Sequence, residues 1–126
     1  MPRLEISVTA QDGCNVLHVA GELDMRTAPQ LDAALEEGRV PGTPLVLDLA
    51  RVWFLDSYGL RSLLLANADA EPWGSPLRIV ASRQVDRTIR LAEADRVLDV
   101  YPDEEHALAG PSAAQVPAAG SDGRTG

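Results

Sequence analysis

The chain has 126 residues, 45% hydrophobic but only 4% aromatic, with no lysine and a formal net charge of −8. One domain with an ordinary core fits that length, and a second does not. Residues 1–109 hold ten Arg against eighteen Asp or Glu, so the fold itself is acidic. That balance argues against direct nucleic-acid binding, which needs clustered cations, and favours a basic protein partner.

Leu4, Ile6 and Val8 alternate with Glu5 and Ser7, the period of a half-buried strand. Gln11-Asp12-Gly13 reads as a turn, and Val16, Leu17, His18 and Val19 form the strand that completes a hairpin. Thr27-Ala28-Pro29-Gln30 matches a capping box, opening a helix with Leu31, Ala34 and Leu35 on its apolar stripe and Gly38 at its end. Leu45, Leu47 and Leu49 then mark a mostly buried strand. Helical spacing restarts at Leu60, Leu63, Leu64 and Asn67, so the strand-to-helix seam falls near Asp56 and Ser57.

Beyond the turn-rich Glu71–Pro76, Leu77, Ile79 and Val80 form a short strand. Ser82 caps a helix carrying Val85, Ile89 and Ala92 on one side. Val97, Leu98 and Val100 suggest a last strand, and Asp103-Glu104-Glu105 opens a terminal helix whose acids suit its dipole. The order is β-β-α-β-α-β-α-β-α. It implies an α/β fold with a mixed sheet of four to five strands covered by about four helices. Residues 1–109 form this domain; residues 110–126, rich in Pro, Ala, Gly and Ser without periodicity, are expected to be a disordered tail.

The seam carries the chemistry. A helix start leaves about four N–H groups unpaired and bears roughly half a positive charge. Asp56 can cap it by accepting from Tyr58 or Gly59 N–H, which leaves the Ser57 hydroxyl at the first helical position, open to modification. Gly59 inside that first turn costs about 1 kcal/mol against alanine, so something else favours it, close approach of a partner being one candidate. By themselves Asp56 and Ser57 are also what any good cap would contain.

The run Leu47-Asp48-Leu49, Val52, Phe54 and Asp56-Ser57-Tyr58-Gly59-Leu60 resembles the signature of the STAS domain, the fold of bacterial anti-sigma factor antagonists. Gly21-Glu22-Leu23-Asp24, leading from the second strand into a helix, looks like the Gly-Glu-Leu-Asp segment of that family. The resemblance covers residues 4 to about 109. It implies that Ser57 is phosphorylated by the partner anti-sigma factor, itself a serine kinase, and that Glu22, Asp24, Asp56, Ser57, Tyr58, Gly59 and Arg61 form the partner-binding surface. It also implies a metal-dependent serine phosphatase on another chain that resets the switch. Tyr58 stands where relatives carry a small residue, and Glu93-Ala94-Asp95 where they often have Gly before Leu.

On this reading the unphosphorylated chain binds the kinase and so frees a sigma factor, and phosphorylation at Ser57 ends the binding. The alternative is a STAS subunit of a transporter or larger signalling complex that is never phosphorylated. Enzyme chemistry finds little support. A triad could be drawn from Ser57, His106 and Asp24, but the Gly-x-Ser-x-Gly elbow is missing. No glycine-rich phosphate loop follows a strand. His18, His106 and the lone Cys14 show no metal-ligand spacing, so neither metal nor cofactor is expected. A single cysteine, an N-terminus without an apolar h-region and no stretch approaching about 20 apolar residues fit a cytoplasmic protein with no membrane contact. Of the aromatic pair, Phe54 is assigned to the core and Trp53 is left open.

Overall fold

The computed structural model describes residues 3–111; residues 112–126, on which most of the tail expectation falls, lie outside them. Asp12 and Gly13 take φ of 52° and 79°, the type I′ geometry whose twist suits a tight hairpin. β1 (Glu5–Gln11) therefore runs antiparallel to β2 (Cys14–Leu23), with Gln11 opposite Cys14. After α1 (Ala28–Gly38) come β3 (Leu45–Leu55), α2 (Ser57–Ala68) and a single turn, α3 (Ala70–Trp73). β4 (Leu77–Ala81), α4 (Arg83–Leu91), a 3-10 turn at Ala94–Arg96, β5 (Val100–Tyr101) and α5 (Glu104–Ala109) follow. The sheet order is β1-β2-β3-β4-β5, and every pair after the first is parallel. This is the mixed α/β sheet that the alternation of strands and helices implies, with α3 as an added turn.

Two apolar clusters lie on opposite faces of the sheet. Leu17, Val19, Leu47, Leu49 and Ile79 pack with Leu31 of α1, Leu63 of α2 and Ile89 of α4. Val16, Val46 and Val80 face the other way, against Tyr101 of β5 and Ala107 of α5. Strand alternation makes the division, since neighbouring residues point to opposite faces.

Five sequence expectations give way to tertiary context. The capping box at α1 does not form: Thr27 Oγ1 donates to the Glu22 carbonyl at 2.6 Å, and Gln30 Oε1 accepts from Leu4 N–H at 2.9 Å. Both side chains instead tie the helix start to β2 and to the residue just before β1. Phe54 is 47% exposed and Trp53 58%, so neither belongs to the core. From Leu49 onward β3 buries every third residue, Leu49, Val52 and Leu55, as register shifts against β2 break the two-residue period. On α2 the buried stripe is Gly59, Ser62, Leu63 and Ala66, one step round from the apolar spacing; Leu64 is 36% exposed. Finally, Val97 is exposed and precedes β5, and Ala92 lies exposed beyond the end of α4.

Candidate functional site

The parallel strands β2 and β3 end side by side, with Leu23 opposite Leu55, and the chain enters α2 one residue later. Asp56 caps α2 as its sequence suggests: Oδ1 accepts from Tyr58 N–H at 2.9 Å and from Gly59 N–H at 3.0 Å. Its own N–H donates to the Leu23 carbonyl at 3.2 Å, fixing the helix start to β2. Ser57 is thereby held at the first helical position with its side chain exposed, beside the positive end of the helix.

Gly59 is buried, and the close approach it permits is internal. A Cβ there would meet the Leu23 carbonyl oxygen at 2.7 Å and Leu55 Cδ1 at 2.5 Å. The partner contact suggested as its reason gives way to this packing. Gly21, with φ of 131°, sits at the register shift of β2, Leu23 is fully buried, and Asp24 closes the turn into α1. Asp24 Oδ1 accepts from Arg26 N–H at 2.9 Å and Thr27 N–H at 3.1 Å, and its side chain is 14% exposed. The side chains of Leu23 and Asp24 and the backbone of Gly21 thus have structural tasks, whereas the Glu22 side chain does not.

Glu22 is exposed and accepts from Trp53 Nε1–H at 3.2 Å. Met25, Trp53, Phe54 and Tyr58, on the segments that flank the Leu23–Leu55 pair, are all between 47% and 58% exposed. Arg61 is exposed one helical turn beyond Ser57. Exposed large apolar groups rimmed by charges mark a protein-binding surface. Splitting the aromatic pair placed Phe54 in the core and so concealed its exposure.

The triad drawn from Ser57, His106 and Asp24 is not assembled among the described residues. His106 pairs with Asp103 at 2.7 Å, and Asp24 is occupied in its turn. On the face of the sheet covered by α5, however, the fold joins residues far apart in sequence: His18 Nδ1 lies 3.6 Å from both Asp48 Oδ2 and Glu104 Oε2. Linear spacing gives no sign of this group.

Residues 6–99 match the family model described as Mlab, STAS domain. The chain belongs to the STAS-domain family of anti-sigma factor antagonists. It is 33% identical over 111 residues to the anti-sigma-F factor antagonist RsfB of Mycobacterium tuberculosis, covering 85% of this chain and 88% of that one. The crystal structure of an anti-sigma factor antagonist from Mycobacterium paratuberculosis superposes with a TM-score of 0.76 at 33% identity, over 84% of this chain and 92% of the other. SpoIIAA in its unphosphorylated form shares the STAS fold, with a TM-score of 0.61 at 19% identity over 81% and 90% of the two chains. These STAS relatives are named as regulators rather than enzymes. Among the described residues no helix is long and apolar enough to cross a membrane.

Proposed function

We propose that this STAS protein is an anti-sigma factor antagonist whose unmodified form binds an anti-sigma factor with serine kinase activity, thereby freeing a sigma factor, and that phosphorylation of Ser57 switches the binding off. The observation that carries the reading is the exposed Ser57 hydroxyl at the capped start of α2, with the exposed apolar side chains of Met25, Trp53, Phe54 and Tyr58 on the adjoining segments. The name of the 33%-identical RsfB supports the same role.

Phosphate on Ser57 adds about −1.5 to −2 charges beside the Asp56 carboxylate and among apolar groups. The helix start and Arg61 tolerate that charge, so the fold survives modification. A partner surface fitted to a small neutral hydroxyl does not: it must desolvate a dianion and give up close packing. A loss of about 1.4 kcal/mol is already tenfold in affinity. Resetting requires a metal-dependent serine phosphatase on another chain. The process takes place in the cytoplasm, where sigma factors act.

Ser57→Ala is expected to bind the kinase with affinity close to that of the unmodified chain and to accept no phosphate from ATP. Ser57→Asp is expected to fold normally, because an acid in the first turn is favourable by about 0.3–1 kcal/mol, and to bind at least tenfold more weakly. Binding is read by calorimetry and phosphate by mass-spectrometric mapping of chain isolated from its native cell. Phosphate on a different residue, or undiminished binding by Ser57→Asp, refutes the switch. Tyr58, bulky and 49% exposed beside Ser57, is the feature that favours the other reading, a STAS subunit of a transport or signalling complex. Under that reading no phospho-Ser57 is found and a larger assembly co-purifies in place of a kinase.

A further inference from the structure

His18 and Asp48 are register partners on β2 and β3. Their neighbours Leu17, Val19, Leu47 and Leu49 all face the cluster under α1, α2 and α4, so alternation turns His18 and Asp48 to the opposite face. There they meet Glu104, the first residue of α5, which packs on that face through Ala107. One nitrogen and two carboxylate oxygens from three separate elements converge, all within 4.8 Å of one another.

We propose that His18 Nδ1, Asp48 Oδ2 and Glu104 Oε2 bind one divalent transition-metal ion of the zinc class, which staples α5 to the sheet. Ligands at about 2.0–2.2 Å in tetrahedral array lie about 3.3–3.6 Å apart. His18 Nδ1 stands 3.6 Å from each carboxylate oxygen, close to that spacing before any ion draws them in. Supporting contacts aim the ligand atoms. Thr9 Oγ1 lies 3.0 Å from His18 Nε2, and the tautomer in which Nε2–H donates to it leaves the Nδ1 lone pair directed at the carboxylates. Asp48 Oδ1 accepts from Ala50 N–H at 3.0 Å, which leaves Oδ2 for the ion.

Charge favours the same occupant. A neutral imidazole and two carboxylates balance a divalent cation, and without one the two acids crowd each other. An imidazole nitrogen selects a zinc-like ion over magnesium, which prefers oxygen and water ligands. The three side chains remain 18–30% exposed, so an ion can enter and water can complete its shell. His18 and Asp48 also line a cavity of about 230 Å³ with Glu5, Ser7, Ala20 and Arg51.

The test is calorimetric titration of the untagged full-length chain, stripped with a chelator, with Zn2+ and separately with Mg2+. One Zn2+ per chain is expected, with a dissociation constant below about 10 µM and at least tenfold weaker Mg2+ binding. The melting temperature should rise with free Zn2+, because only the folded chain holds the site together. His18→Gln and Asp48→Asn should each weaken zinc binding at least tenfold, whereas His106→Ala, which removes the other histidine, should not. Melting curves without metal verify that each variant folds. Absence of saturable binding up to about 1 mM Zn2+, one-to-one binding that survives both ligand substitutions, or binding lost with His106→Ala would overturn the proposal.

Discussion

Gly59 decides how closely α2 approaches β2. Its Cα lies against the Leu23 carbonyl and the Leu23 and Leu55 side chains, and backbone cannot move aside as a flexible side chain can. Gly59→Ala is therefore expected to destabilise the fold by about 1–3 kcal/mol in urea denaturation, despite the gain of about 1 kcal/mol in helix propensity. It should also displace Ser57 and weaken partner binding. A variant as stable as the parent would show that the contact relaxes. Glu93 makes the opposite choice. With φ of 58° it occupies the left-handed conformation that glycine adopts at no cost.

At the scale of elements, caps explain most helix starts. Asp56, Ser82 and Asp103 accept from backbone N–H groups as their positions in sequence suggest, whereas Thr27 is drawn off to the Glu22 carbonyl. α5 is short and depends on its ends. Asp103 Oδ1 accepts from His106 N–H at 2.8 Å and lies 2.7 Å from His106 Nδ1. That hydrogen bond, and then the charge of Asp103, raises His106 above its ordinary 6.5. The contribution of the pair is complete below the ordinary value and fades as pH rises through the raised one. Asp103, held below 3.8 by the His106 N–H and then by the ring, loses its own contribution as pH falls through its lowered value. Both groups are exposed and screened, so the effect belongs to fraying of α5 rather than to global stability. An NMR titration should place the His106 midpoint above 6.5 and lower it in Asp103→Asn; an unchanged midpoint would refute the pairing.

For the molecule as a whole, the sheet separates two tasks. The face under α1, α2 and α4 holds the larger core, and the C-terminal ends of β2 and β3 lead to Ser57 and the exposed Met25, Trp53, Phe54 and Tyr58. The other face carries α5 and the His18–Asp48–Glu104 group. We infer that residues 112–126 serve neither task, since Pro, Ala, Gly and Ser there offer no apolar periodicity with which to dock. Their removal should shift the melting temperature by less than about 2 °C and leave partner binding intact; a larger fall would make the tail part of the fold.

The sequence by itself determined the element order, the Asp12-Gly13 hairpin, the Asp56 cap with Ser57 beside it, and the family, because each is written in neighbouring residues or in short-range periods. Tertiary structure alone decided the rest. Thr27 and Gln30 found partners on β2 and just before β1, Phe54 stayed exposed, and close packing against Leu23 set the rotation of α2. The meeting of His18, Asp48 and Glu104 likewise depends on strand pairing and on where α5 docks. The reason is one of range. Caps and turns are satisfied within a few residues, whereas the rotation of a helix, the face of an irregular strand and a three-element cluster are fixed only when distant segments compete for the same space and the same hydrogen bonds.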